Sequence, residues 1–457
     1  MSLPPQENPV AAVDAAGHPR PARLRAERLF HWLQWPCLLA VCLFAFTDQI
    51  LPDIGHVAQV LFILPALVLL FAGRRPACLR APALFLLATL LVQTSSWLFA
   101  PDLAAYGYEP VAEPKLDRLG RWLLFIFAAY WLLPKPGAVA ALWLSALAGL
   151  LLAPWVTGGG GVELQQAAAG LRVGFGLRNE QHTAMLFGAG FLGLYAQLLY
   201  RIANGSLRRV SSAALLGLLL LTGGGVLVTQ TRGVWLGVAA GIGLISLLAG
   251  WLQGRRHHWA PGKSLGILAV AMLLLLLAAV PAARLMGDFE HERGSITRLP
   301  EYIEADLGYD AIGIRVRSWI HALPWLAQRP LTGWGTQGSH LISQHSEGLP
   351  PELKRIFTHL HSSYFDLFAQ YGAPGVLLFL GLLAWLGRFA VQSWRAGGMP
   401  EPVFLFIAGF IVYWLVINAF ESFMLYSSGR YLLNLILAGA LVYHPRAVAA
   451  RASACAG

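Results

Sequence analysis

Charged residues are scarce in this sequence. Of its 457 residues 12% are charged and 57% are hydrophobic, with a mean hydropathy of +0.59. A soluble domain carries roughly twice that charged fraction. The shortage of charge excludes an ordinary soluble globular protein and favours a protein that crosses a membrane several times.

Cysteines and metal-binding motifs are also scarce. None of the four cysteines falls in a predicted external loop, so we expect no disulfide framework; they are Cys37, Cys42, Cys78 and Cys455. The sequence has no CxxC, HExxH or Asp-x-Asp pattern, and it therefore predicts no metal site and no cofactor. It also has no nucleic-acid-binding motif, although its net charge is +10.

Long apolar runs are abundant. A bilayer-spanning helix needs about 20 mostly apolar residues, and about twelve segments meet that length. Their apolar character is continuous and not alternating, which favours helices over a barrel. The clearest runs are 29–46, 57–72, 83–99, 212–228 and 265–283, and the others centre near 126, 145, 191, 242, 382, 411 and 436. The predicted fold is an all-α polytopic integral membrane protein.

Arginine and lysine residues indicate the orientation of the spans. They concentrate in every second loop, which the positive-inside rule places in the cytoplasm. The sequence thus predicts a cytoplasmic arm at 1–28, spans one to nine in 29–283, and an external loop at 284–372. Spans ten to twelve then occupy 373–445, and a cytoplasmic tail follows at 446–457. The first span lacks a convincing cleavage site, so we interpret it as retained.

The predicted span centres contain almost no ionisable residues. A proton- or ion-coupled transporter usually keeps such residues near the bilayer midplane. Here the polar residues gather in the external loop, which we expect to form a small helical cap between spans nine and ten, and in the short links RNEQH (178–182), TQTRGVW (229–235) and NAFES (418–422). This distribution favours chemistry at a membrane surface, with a non-enzymatic transporter or flippase for lipid-linked sugars as the competing class.

Several external arginines are candidates for binding phosphate. Arg232 lies in a link too short to leave the membrane surface, and its guanidinium fork suits phosphate oxygens. Arg315 is favoured over Arg317, because it lies four residues before Trp319 and shares its helical face. Arg178 is a further candidate, and Arg430 a possible supporting residue. Each of these could instead be an interfacial anchor or a solvated charge.

His361 is the candidate general base, since an unperturbed histidine titrates near neutral pH. Ser362 and Ser363 next to it could cap the following helix and so fix the direction of the imidazole. The neighbouring His359 is a possible supporting residue. A metal site is the weaker interpretation, because a His-x-His pair points to opposite sides of a helix and no third ligand has a recognisable spacing.

Three stretches in this order resemble the conserved segments of the O-antigen ligase and polymerase superfamily. TQTRGVWLG (229–237) resembles its Ser/Thr-Arg-Gly segment, and the stretch 315–335 its Arg…Trp…Pro-Leu-x-Gly-x-Gly segment. HSSYFDLFAQYGAPG (361–375) is similar to its His-Asn-x-x-Leu…Gly-x-x-Gly segment, with Ser362 in place of the common asparagine. Phe365 replaces a common leucine and Thr231 a frequent serine.

The resemblance implies a GT-C-like architecture with a periplasmic helical cap, and a monomer embedded in membrane lipids. It implies transfer of O-antigen glycan from undecaprenyl diphosphate to lipid A–core. His361 would be the base, and Arg232, Arg315 and Arg178 would bind the diphosphate. The site would face the periplasm of a Gram-negative inner membrane, with both termini cytoplasmic. The sibling polymerase stays open, and a protein-glycosylating branch fits less well because it usually has a longer external C-terminal portion.

Overall fold

The computed structural model describes residues 21–109, 111–206, 210–257, 311–345, 351, 354 and 358–445. Predicted span nine at 265–283, the first part of the external loop to residue 310, most of the N-terminal arm and the 446–457 tail lie outside the described residues. The described part of the chain is helical and contains no strand.

The described residues form fifteen α-helices. They are α1 (Pro21–Thr47), α2 (Pro52–Phe71), α3 (Arg80–Leu98), α4 (Asp117–Gly120), α5 (Phe125–Leu132), α6 (Ala138–Val156), α7 (Gly161–Ala168), α8 (Glu180–Ala203), α9 (Val210–Val228), α10 (Arg232–His257), α11 (Ala311–Gln328), α12 (Gly338–His345), α13 (Ser363–Arg395), α14 (Glu401–Phe420) and α15 (Ser427–Leu441).

Nine of the described helical segments are long and apolar enough to cross a membrane. They correspond to nine of the predicted spans, so the chain is an all-helical, multi-pass membrane protein. The predicted spans near 126 and 436 coincide with α5 and α15, which have 8 and 15 residues and fall short of the length of a span. A total of about twelve spans therefore remains a prediction.

Helices α10 and α14 pack closely and antiparallel to each other, and this packing positions the end of the bundle where the candidate site residues lie. Small residues allow the approach: a Cβ on Gly241 would lie 3.3 Å from the carbonyl oxygen of Gly409, and one on Gly233 would lie 3.1 Å from Phe420 Cβ. The start of α10 is therefore beside the end of α14. We call this end of the bundle the His361 end, because the loop before α13 reaches it.

A glycine divides α13 into two segments. Gly372 has φ +65°, and an added Cβ would lie 2.6 Å from the carbonyl carbon of Leu331. The amide of Ala373 donates to Pro330 O at 2.7 Å, so the break is held from outside the helix. The 373–395 segment is about 34 Å long at the helical rise of about 1.5 Å per residue, enough to cross a bilayer. The 363–371 segment bends away and carries the His361 loop.

A second hydrophobic cluster packs over the His361 end. It joins the loop after α3, helices α11 and α12, and the 363–371 segment; its buried members are Leu103, Ala322, Leu326, Trp334, Leu341, Ile342, Leu360 and Ala369. The amide of Trp334 donates to Ala369 O at 2.8 Å. These contacts hold α11 against the loop that carries the histidines.

Candidate active site

The loop 359–362 holds His361 in a left-handed backbone conformation, with φ +53°. A non-glycine residue adopts this conformation at a cost, so the surroundings must impose it. Asp366 accepts a hydrogen bond from the amide of Leu360 at 3.0 Å, and Trp319 Nε1 donates to Leu360 O at 2.9 Å. Both anchors act on the residue before His361 and fix the direction of its imidazole.

The two serines fasten this loop to α14 instead of capping α13. Ser362 is the N-cap residue of α13 but makes no side-chain cap bond, which differs from the predicted role. Its hydroxyl donates to Asn418 O at 3.4 Å. Ser363 Oγ donates to Asn418 Oδ1 at 2.6 Å and accepts from the amide of Met424 at 3.2 Å. The histidines are thereby held against the end of α14.

Glu421, directly after α14, is the centre of the polar cluster and is 5% exposed. Its Oε1 lies 3.1 Å from His359 Nε2 and accepts from the amide of Ser422 at 2.9 Å. Its Oε2 lies 3.9 Å from His361 Nδ1. The Gln181 amide, with its nitrogen toward Glu421 and its oxygen 3.1 Å from Arg315 Nη2, bridges the carboxylate to the arginine.

The two histidines have opposite pKa shifts, although their rings lie 4.4 Å apart. Burial lowers the pKa of His361 below its ordinary 6.5, and the charges of His359 and Arg315 oppose protonation further. For His359, burial is outweighed by the hydrogen bond to Glu421 and the charge of Asp366, so its pKa is raised. The same hydrogen bonds overcome the effect of burial on Glu421 and hold its pKa well below the ordinary value. These directions favour the neutral form of His361 and the charged forms of His359 and Glu421.

Arg315 enters the cluster from α11. Its Nε donates to Phe420 O at 3.0 Å, one residue before Glu421. Burial lowers the pKa of Arg315, and the nearby positive charge of Arg172 lowers it further, while Glu421 opposes the shift. Two guanidinium groups thus lie close enough to repel each other, an arrangement that an anion between them would stabilise.

Arg232 is the first residue of α10 and its side chain is exposed. It precedes Gly233, which packs on Phe420, so the backbone of α10 begins beside the residue whose carbonyl Arg315 contacts. The turn before it is held by Arg172, whose Nε donates to Thr229 O at 2.9 Å and whose Nη2 lies 3.3 Å from Thr231 Oγ1. Arg172 was not singled out from the sequence.

Arg178 reaches the same cluster through an aromatic ring. Its guanidinium carbon lies 3.7 Å from the centroid of Tyr426, and the Tyr426 hydroxyl is 3.1 Å from His359 Nδ1. Arg172 and Arg178 flank the start of α8, whose Asn179 side chain caps the helix by accepting from the His182 amide at 2.9 Å. Three carboxylates lie near these four arginines and His359: Glu180, 3.9 Å from Arg172, Glu421, and the buried Asp366. The cluster therefore has an excess of positive charge.

Two predicted residues have other surroundings. Arg430 Nη1 donates to Leu425 O at 2.5 Å, and its guanidinium lines a cavity with Arg121, on the side of α15 away from His182. Ser428, two residues earlier, forms a hydrogen bond between its Oγ and His182 Nδ1, 2.6 Å away, and so faces the cluster. Arg317 is half-buried on α11. The roles predicted for Arg317 and Arg430 stay predictions.

His359, His361 and Glu421 place one ligand atom each within 4.8 Å of one another, close enough to hold a metal ion. A metal there would compete with the hydrogen bond that His359 gives to Glu421 and would add charge to a site already rich in arginine. Three protein ligands are the number that catalytic zinc sites use, so these residues could hold a cation. The sequence offered no third ligand at a recognisable spacing, and Glu421 becomes one only in the folded chain.

Glu421 and Gln181 were missed as individual residues, although both lie in stretches that the sequence marks as polar, NAFES and RNEQH. Nothing in their spacing links them to His361, since 60 residues separate His361 from Glu421 and they meet only in the folded chain. The signal that could have identified Glu421 is a carboxylate at the end of an apolar helix, where burial demands a partner.

A model of the O-antigen ligase family matches residues 216–380. The matched region begins in α9 and ends in α13, and it includes Arg232, Arg315 and His361. A search of curated proteins finds no matching relative. The arginine turn before α10, the arginine of α11 and the histidine before α13 converge within that region. This match to about a third of the chain, together with the three resembling stretches, supports an assignment to the O-antigen ligase and polymerase superfamily.

Proposed function

We propose that this protein is an O-antigen ligase: an inverting, metal-independent glycosyltransferase that moves O-antigen glycan from undecaprenyl diphosphate to a sugar hydroxyl of lipid A–core. The observation that carries the proposal is geometric: His361 Nδ1 lies 3.9 Å from Glu421, and Arg315 donates to Phe420 O, one residue before that carboxylate. A base beside a cationic pocket is what transfer from a lipid diphosphate requires.

His361 takes the proton of the acceptor hydroxyl as the new glycosidic bond forms. Its Nδ1 faces Glu421, so the proton arrives at Nε2. The acceptor oxygen bonds to the anomeric carbon, and the bond from that carbon to the diphosphate oxygen breaks in the same displacement. Positioned general-base catalysis is worth typically about 10²–10⁴-fold. Glu421 orients the ring and stabilises the imidazolium that results.

The arginines neutralise the leaving diphosphate. Arg232 and Arg315, with Arg172 and Arg178 beside them, offer guanidinium forks that match phosphate oxygens. The arginines neutralise the negative charge of the leaving diphosphate, which a divalent cation does in other diphosphate-dependent transferases. This supports metal independence. The products are undecaprenyl diphosphate and the extended lipid A–core.

An apolar cavity gives the polyprenyl tail a place in the membrane. Its volume is about 560 Å³, and α6, α8, α9, α14 and α15 line it. Leu186 and Leu432 line the cavity and lie one helical turn from His182 and Ser428, respectively. His182 Nδ1 and Ser428 Oγ are 2.6 Å apart, beside the arginine cluster. A diphosphate at the cluster would therefore leave its tail pointing into an apolar space between helices.

The proposed setting is the periplasmic face of a Gram-negative inner membrane, with a monomer as the active unit. The external placement rests on the arginine and lysine distribution of the other loops. Chemical labelling of single cysteines in intact cells tests it: a cysteine near position 361 should react with an impermeant reagent. Reaction only after the inner membrane is opened would contradict it.

The deciding experiment uses purified protein, carrier-linked glycan and lipid A–core, with the product separated on a gel. We expect product from the wild type and about 10²–10⁴-fold slower formation by His361→Ala, with both proteins equally folded. Undiminished activity in EDTA would support the metal-free step, and loss that Mn²⁺ or Mg²⁺ restores would overturn it. Product on a carrier-linked repeat, and none on lipid A–core, would assign the polymerase reaction. Glycan crossing the membrane without transfer would assign a flippase.

A further inference from the structure

A second cavity at the His361 end has walls of a different kind. Its volume is about 370 Å³, and it lies between the end of α3, the loop that follows α3, and the turn before α12. Two tryptophans form its walls. Trp97 Nε1 donates to Val111 O at 2.7 Å, and Trp334 Nε1 donates to Trp325 O at 2.8 Å. Because backbone carbonyls satisfy both indole N–H groups, the rings are fixed in place as apolar surfaces.

Oxygen acceptors surround these rings. The carboxylates of Asp102 and Glu109 line the cavity and belong to exposed residues, and Thr336 adds a hydroxyl. The amide oxygen of Gln337 is buried in the lining and has no hydrogen-bond partner among the described residues. A buried acceptor without a donor is costly, so a hydroxyl-bearing ligand would stabilise it.

The combination matches the chemistry of a sugar. A pyranose presents an apolar C–H face, which stacks on an aromatic ring, and a rim of hydroxyl donors, which suits carboxylate and amide oxygens. Lys115 also lines the cavity, 3.5 Å from Glu113, so two carboxylates and one paired ammonium replace the concentrated positive charge of the arginine cluster. The two sites therefore select different parts of a lipid-linked saccharide.

The cavity wall is joined directly to the helix segment that follows the base. Trp334 N donates to Ala369 O at 2.8 Å, and Ser96 Oγ donates to Gln370 O at 2.7 Å. The segment from His361 to Gln370 covers about 13 Å at the helical rise, which an oligosaccharide of a few residues spans. No lining residue of the cavity comes from α8, α10 or α11, the elements that bring the arginines to the diphosphate site.

We propose that the tryptophan cavity binds a pyranose of the acceptor's core oligosaccharide, near the sugar that receives the glycan. This rests on the proposed function. In a single displacement the incoming hydroxyl and the leaving diphosphate lie on opposite sides of the anomeric carbon. The arginines hold the leaving side, so the surface that continues from His361 along 363–371 is the acceptor side.

The test compares steady-state kinetics of Trp97→Ala and Gln337→Ala with the wild type. We expect the KM for intact lipid A–core to rise about tenfold for Trp97→Ala, as the loss of one aromatic contact predicts, with kcat and the donor KM unchanged. With a core truncated to the acceptor sugar, wild type and variant should have the same KM. Trp155→Ala, at an exposed tryptophan 61% accessible at the end of α6, is the matched control and should behave as wild type.

Two results would overturn the assignment. An unchanged acceptor KM in both cavity variants would remove the cavity from substrate binding, and a rise in the donor KM instead would give it to the donor glycan. Direct titration of the free core oligosaccharide into the purified protein separates this proposal from the proposed function. Binding that Trp97→Ala weakens supports the cavity even where no transfer is seen, and absence of binding to the wild type contradicts it.

Discussion

Replacing Glu421 by glutamine tests the polar cluster most directly, because the change removes one charge and almost no volume. In the wild type His361 Nδ1 lies 3.9 Å from Glu421 Oε2, and the imidazole becomes positively charged when it takes a proton. Unit charges at that distance attract by about 4 kcal/mol at an effective dielectric constant of about 20. Desolvation offsets part of this, so we assign about 2–3 kcal/mol to the orientation and charge that the carboxylate supplies to His361. That range corresponds to roughly a hundredfold loss of kcat.

The assay is transfer to lipid A–core under saturating substrates, with folding checked by thermal melting in detergent. Glu401→Gln is the matched control: Glu401 is also a buried glutamate but is the first residue of α14, at the end of the helix away from Glu421, and its variant should retain activity. The double variant with His361→Ala should be no slower than His361→Ala alone, since Glu421 acts through the histidine. Full activity of Glu421→Gln, or losses that simply multiply in the double variant, would refute this account of the site.

Three further predictions concern pH, phosphate binding and the helix break. Burial lowers the pKa of His361, so kcat/KM should fall on the acid side only as the pH drops through a value below 6.5. The pKa of His359 is raised, so its ion pair with Glu421 should be lost on the alkaline side, at a pH above 6.5. The two effects together predict a bell-shaped pH profile of kcat/KM. An acid limb centred above 6.5 would argue against His361 as the base. Arg315→Lys should lose about tenfold or more in kcat/KM, because a point charge replaces a fork that also holds Phe420 O, and unchanged kinetics would show that the fork is not used. Gly372→Ala should lower the free energy of unfolding by about 2–4 kcal/mol, because the residue has φ +65° and the new Cβ would lie 2.6 Å from Leu331. The control Gly397→Ala has φ +71° but open space around the Cβ, and it should lower the free energy by about 1 kcal/mol. Equal shifts in melting temperature would contradict the steric explanation.

The sequence alone determined that this protein is an all-helical membrane protein, because apolar runs of sufficient length have only one way to satisfy their backbone in lipid. The three motif stretches also indicated the superfamily and the residue types of the site, an arginine after a short turn and a histidine before a late span. These features are local, so they can be read along the chain.

Only the tertiary structure decided which polar residues meet. Glu421 reaches His361 because Ser362 and Ser363 hold the histidine loop to Asn418, near the end of α14. The break at Gly372, which turns the histidine segment across the end of the bundle, comes from contacts with Leu331 and Pro330. Burial and partner charges, which only packing creates, then gave His359 and His361 opposite pKa shifts. The amino-acid sequence shows which ionisable groups are present. Their chemistry depends on the distances between them and on their desolvation, and both are set only by folding.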